Sequence, residues 1–233
     1  MKIRCVWEHN GEDTLLYAEN LPGAFTRGAS KTEALRKMAA EAAAYGRWSK
    51  GLPQEEYDLE IVQEQESSLQ IRDADSDVLF STEVQPLSVT EYEMLKSLAL
   101  RSAEDFLRLY RSISDADCSC LPERKTFYGA VPRTAREMYA HTKNVNAYYF
   151  GEIGVDADNN GSIVECRQRG FVELEKRADF LLSAAVEGSY GEYWSVRKVL
   201  RRFLWHDRIH AKAMYRMAVR TFGADAVENV FQF

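Results

Sequence analysis

The chain has 233 residues, with 45% hydrophobic, 12% aromatic and 28% charged side chains, enough for a packed core and unlike a disordered composition. No run of about 18 apolar residues is present, which excludes a membrane-spanning helix. The net charge of −6 is uneven: residues 1–87 carry nine Lys/Arg against sixteen Asp/Glu, residues 88–233 twenty-one against twenty, and the acidic first part argues against nucleic acid as a partner.

In chain order, residues 2–8 alternate in a way that suits a half-buried strand rather than a signal peptide. Asn10-Gly11 marks a tight hairpin, and a second strand follows at about 14–19. Gly23 and Gly28 frame a short third strand. Ser30 with Glu33 forms a capping box that opens a helix over about 31–46, ending before Gly51. Two further strand-like pieces lie near 57–64 and 77–84, separated by an aspartate-rich turn. Pro86-Leu87-Ser88 marks a boundary, giving parts at 1–87 and 88–233.

Past the boundary, Leu95, Ala99, Ser102, Phe106, Leu109 and Ile113 recur at helical spacing and predict a helix over about 89–113, capped by Ser88 or Thr90. The loop 115–122 holds Cys118 and Cys120, set too close for a zinc ribbon. The four cysteines form no CxxC pattern and are expected to be reduced thiols of a cytoplasmic protein. Thr134 caps a helix over about 135–151, with Met138, His141, Val145 and Tyr148 on one stripe. Asp156, Asp158, Asn160 and Gly161 match the first half of a calcium loop, but position 12 is Arg167 where a bidentate Glu is required, so a polar turn is expected. Helices are predicted over about 163–186 and 193–221, with a short one at about 224–230. The charges of the last long helix are expected to form a solvated face.

His206 and His210 stand four residues apart, so on a helix they share a face. Together with His141 they put three of the four histidines on stripes that point inward. Three such imidazoles can be hydrogen-bonded packing groups, or they can hold one metal and leave a coordination position open.

Two segments resemble known families. Over about 1–65, the hairpin followed by Leu21-Pro22-Gly23, Gly28 and Ser30-x-x-Glu33-Ala34 resembles the HicB-like family of small ββ(β)αβ domains. Over about 88–230, His141-Thr-Lys-Asn-Val145-Asn-Ala-Tyr148-Tyr-Phe150 and Trp205-His206-Asp207-Arg208-Ile209-His210 resemble the DinB-like bundle superfamily. The resemblance implies an α+β chain: an N-terminal small HicB-like α/β sandwich domain (1–87) followed by an all-α DinB-like four-helix bundle (88–233). It implies a divalent transition metal, nickel or zinc, on His141, His206 and His210. It also implies a metal-dependent enzyme, such as a thiol-dependent transferase or a hydrolase, acting on a small-molecule thiol or another small substrate. In the alternative it implies, the HicB-like part binds a protein partner or the mate of a homodimer, and the metal is structural. The chain departs from many DinB-like members at Val145-Asn146, where they carry an acidic residue, and Asp207 is expected to point off the inward face.

Overall fold

Strands β1 (Lys2–Asn10), β2 (Asp13–Ala18), β3 (Phe25–Gly28) and β4 (Asp58–Glu66) form one sheet in the order β3-β2-β1-β4. The computed structural model describes residues 1–49, 56–126 and 129–233; Gly51, expected beyond the first helix, lies outside them. β1 and β2 pair antiparallel down to Asn10 and Asp13, and Gly11 takes the positive φ of 58° that this tight turn requires. β2 pairs antiparallel with β3, while β4 runs parallel to β1, reached through helix α1 (Lys31–Ser49).

Alternation sorts the two faces of the sheet. Ile3, Cys5, Leu16 and Ala18 pack with Ala34, Met38 and Ala42 of α1. Val6, Leu15, Tyr17 and Phe25 pack with Ile71, Val78, Phe80 and the distant Trp205. The strand expected near 77–84 is not a strand. Its side chains alternate in burial as expected, but side chains take its backbone groups. The Glu8 carboxylate accepts from the Asp77 and Val78 N–H groups, while Gln63 donates to Leu79 O and accepts from Ser81 N–H. With these groups engaged, no ladder forms.

The remaining helices are α2 (Val89–Ser112), α3 (Ala135–Gly151), α4 (Ile163–Glu175) and α5 (Val196–Phe222). Two-residue strand pairs, β5 (Lys125–Thr126) with β6 (Gly129–Ala130) and β7 (Val186–Glu187) with β8 (Tyr193–Trp194), lie in the connections. Full capping boxes open α2, α3 and α4, at Ser88–Glu91, Thr134–Glu137 and Ser162–Glu165. α4 and α5 each pack against both α2 and α3. Thus the chain is mixed α+β, a small N-terminal sheet with five helices.

α4 stops eleven residues short of the predicted end at 186. Beyond it the backbone turns to meet the 83–87 segment: Leu87 N–H donates to Leu181 O, and Ser183, with φ 49°, donates its hydroxyl to Glu83 O. At the C-terminus only Ala224–Ala226 is helical, as one 3₁₀ turn, where a helix to about 230 is predicted.

α5 is the centre of the molecule. Every residue from Lys198 to Arg208 is buried, on all sides of the helix. The predicted solvated face therefore exists only near its end, at Arg216 and Arg220. The reason is that the N-terminal sheet packs on the side of α5 that the other helices leave open. Each buried cation there meets oxygen atoms. Lys198 reaches Asp77 O, Tyr193 O and Glu192; Arg201 pairs with Glu83; Arg202 donates to Ser76 O; and Arg208 pairs with Glu41 of α1. One apolar cluster runs without a break from Ile3 and Trp48 through Phe106 and Phe171 to Phe203. Among the described residues, no helix is long and apolar enough to cross a membrane.

Candidate metal centre

α3 carries His141, and α5 carries His206 and His210 one turn apart. The helices pack against each other and bring the three rings together, with centroids 4.4 Å apart for His206–His210, 4.6 Å for His141–His210 and 5.2 Å for His141–His206. Their ligand atoms lie within 4.8 Å of one another. A tetrahedral site with nitrogens about 2.1 Å from the metal has edges of about 3.4 Å, so modest side-chain rotation separates this arrangement from a bound one.

The stripe expected on α3 is rotated. Met138 is buried, but His141 and Tyr148 are exposed; the helix instead buries Met138, Thr142, Asn146 and Tyr149. Two of these are polar, which is why an apolar count misplaces the face. The Thr142 hydroxyl donates to Met138 O, and the Asn146 amide donates to Asp158 O and Cys166 O. His141 thus sits at the edge of α3 with one side open, while His206 is buried and His210 half-buried.

Among the described residues, none of the three rings makes a hydrogen bond, and Nδ1 of His206 is buried without a partner. A buried nitrogen left unsatisfied is costly, and a metal is a group that would satisfy it. Burial pushes all three imidazoles below their ordinary value. His206 goes well below it, with His210 and His141 adding to the effect, and His210 falls to about 3, with His141 contributing. The rings are therefore neutral near pH 7, which is the form that coordinates. Three neutral imidazoles so placed are a possible metal site.

Asp207 turns away from the histidines, but it does not leave the interior, as pointing off the inward face would require. It is fully buried on another face of α5, where Arg167 of α4 holds it in a two-pronged pair at 2.5 and 3.1 Å. That places Arg167, the residue that breaks the calcium pattern, in the core. Of the two acidic residues of that loop, Asp158 is taken by the Arg169 guanidinium. Cys118 and Cys120 are exposed, and all four cysteines are free.

The histidines lie in a cleft of 1520 Å³ between the N-terminal sheet and the helices, also lined by Phe25, Tyr149, Arg202 and Trp205. Arg202 was not legible as part of a site, since spacing alone gives it no partner. It is enclosed by the rings of Trp205, Trp194 and Tyr149, with centroids at 4.9, 5.4 and 5.5 Å. Against the cost of burial, the nearby Tyr149 and Glu192 hold it firmly charged, and its Nε has no partner. The Tyr149 ring also stands 5.9 Å from His206.

No family model, curated protein or solved structure matches the chain.

Proposed function

We propose that the chain is a metal-dependent enzyme of the DinB-like kind, in which His141, His206 and His210 hold one divalent transition metal, nickel or zinc. The observation that carries this reading is the convergence of three neutral imidazoles at an open cleft, one with a buried nitrogen that no protein group satisfies. The packing of α4 and α5 against both α2 and α3 supports a four-helix bundle, and the order β1-β2-β3-α1-β4 supports a HicB-like part over 1–87. Four free cysteines support a reducing compartment, the cytoplasm.

Held by these three histidines, a divalent ion would supply Lewis-acid chemistry that makes a nucleophile available at neutral pH. The residues of the chain do the rest. His206 and His210 are fixed by the buried part of α5, whereas His141 borders the opening. Arg202 holds a permanent positive charge beside His206, where it stabilises negative charge developing on a substrate. The cleft suits a small molecule, a thiol or another compound of similar size.

Metal analysis of protein purified without a histidine tag tests this reading, in parallel with His206→Ala. The expected result is close to one equivalent of metal in the parent and a loss of most of it in the variant, with the fold retained. Unchanged metal content in His206→Ala would remove the three-histidine site. Unfolding of the parent on chelation would favour a structural metal and a binding role.

A further inference from the structure

We propose that the cleft carries an oxyanion subsite formed by Arg27, Arg124 and Arg216, and that the small molecule it takes bears a carboxylate or phosphate group. The direction in which this group lies from the reacting end rests on the metal-centre reading; the subsite itself does not.

Elsewhere in this protein, cations drawn into the structure receive acids or carbonyl oxygens. Arg167 has Asp207, Arg201 has Glu83, Arg208 and Lys212 share Glu41, and Lys198 has Glu192. At the cleft, Lys212 follows that rule, and three exposed arginines stand beside it. Arg27 and Arg216 make no ion pair and no side-chain hydrogen bond among the described residues, and Arg124 has only a long contact of 3.4 Å to Asp73. The three come from separate parts of the chain: β3, the segment before β5, and α5. All three line the same cleft as the histidines.

Their nearness has a physical trace. The enclosure of the cleft, with the charges of Arg124 and Arg216, pushes Arg27 below its ordinary value, and Asp73 only partly offsets this. Arg27 thus feels the charges of both other arginines, and Asp73, which contacts Arg124, is the acid that offsets them. An oxyanion suits such a cluster, since the guanidinium fork matches carboxylate and phosphate geometry.

Sequence explains why Arg27 points there. In β3, Phe25 and Arg27 share a face by alternation, and Phe25 packs on Trp205 of α5 with ring centroids 6.3 Å apart. Thr26 faces the other way and donates its hydroxyl to Ala34 O of α1. On α5, Trp205, Ile209, Lys212 and Arg216 step along the cleft at helical spacing. The field points the same way: the cleft wall holds seven cationic side chains against five acidic ones, in a chain of net charge −6. Such a cleft concentrates small anions.

Spacing also sets a ruler. Arg216 lies six residues past His210, or about 9 Å along the helix axis. The substrate class is therefore a small molecule with an anionic end and a second group that reaches the histidines.

Calorimetric titration tests the subsite with two probes, inorganic phosphate and succinate, in 50 mM and 300 mM salt. The proteins are the parent, Arg27→Gln, Arg216→Gln, the double variant, His206→Ala, and Arg220→Gln as a control on the exposed end of α5. Arg27 and Arg216 are exposed and contribute no core contact, so their variants are expected to fold as the parent does. We expect at least one probe to bind the parent. Its affinity should drop roughly tenfold or more in each single variant, as for loss of one charged hydrogen-bonding group, and further in the double. Binding should weaken in high salt and be unchanged in Arg220→Gln. His206→Ala should bind the probe as the parent does even if it loses metal, which separates failure of the subsite from failure of the metal centre. The stronger probe identifies the substrate group as phosphate or carboxylate. Absence of binding by both probes, or equal binding to parent and double variant, would overturn the proposal.

Discussion

Asp207 and His206 are adjacent in sequence and turn to faces of α5 about 100° apart, and the difference in their surroundings is chemical. His206 meets two other imidazoles and no acid, and burial keeps it neutral. Asp207 meets a guanidinium, and burial nonetheless pushes its carboxyl above the usual range, so the Arg167 contact only partly offsets the loss of water. The i, i+4 spacing makes His206 and His210 legible from sequence, because a helix fixes their relation. The Arg167–Asp207 pair spans 40 residues and two helices, and no local rule joins them. Replacing Asp207 by Ala leaves a buried guanidinium uncompensated, at an expected cost of about 3–5 kcal/mol. Replacing both partners, as Arg167→Met with Asp207→Leu, should cost less than the single change, because no charge is left behind. Denaturant melts of the two variants check this; a loss below about 1 kcal/mol in Asp207→Ala would count against the pair as described.

Among elements, α5 shows both what periodicity conveys and where it stops. Of its expected inward stripe of Val199, Phe203, His206, His210, Ala213 and Met217, His210 is only half-buried and Ala213 is exposed, while the others are buried. The side carrying Lys198, Arg201, Arg202 and Arg208 looks solvated in one dimension and is buried in three, where the 76–83 segment, Glu192 and α1 meet it. The same tertiary override ends α4 at Glu175 and keeps 77–84 out of the sheet, since partners from remote segments take the backbone groups that a helix or strand would use. The first three strands, α1 and the capped starts of α2 and α3 depend on local turn and cap chemistry, and they are found within a few residues of where the sequence puts them. A close junction with α5 is at Gly23, in the turn between β2 and β3, whose φ is +93° and where a Cβ would fall 2.7 Å from Leu204 Cβ. Gly23→Ala should therefore destabilise the protein by about 1–3 kcal/mol through overpacking and a strained φ. Gly11→Ala also carries a positive φ but meets open space, so it should cost less. Thermal melts of the two variants compare these costs directly, and equal losses would remove the close approach as the cause.

In the whole molecule, the cleft exists because two parts share α5. One wall is the sheet with α1, the other is α3, and the histidines and the arginines both line the space between them. Glu41 is the joint: buried on α1, it takes Arg208 at 2.8 Å and Lys212 at 2.5 Å, both on α5. Burial opposes its charge, but the two cations win and hold its carboxyl below the ordinary value of 4.5. The sign of the linkage follows. The unfolded chain takes up a proton at Glu41 at a higher pH than the folded one does, so this contribution is complete above about pH 4.5 and is lost as pH falls through the folded value. Glu41→Gln removes that acid-dependent part and leaves Arg208 buried without its carboxylate. It should therefore be less stable than the parent at pH 7 by about 3–5 kcal/mol, with the gap narrowing in acid. Because one apolar cluster spans both parts, the parent should unfold in a single transition, with sheet and helices melting together. Circular dichroism and tryptophan fluorescence melts at pH 7 and pH 4 check all of this. A gap that stays constant with pH would show that Glu41 does not carry the acid linkage, and two separate transitions in the parent would show that the cleft walls are joined more weakly than their shared core requires.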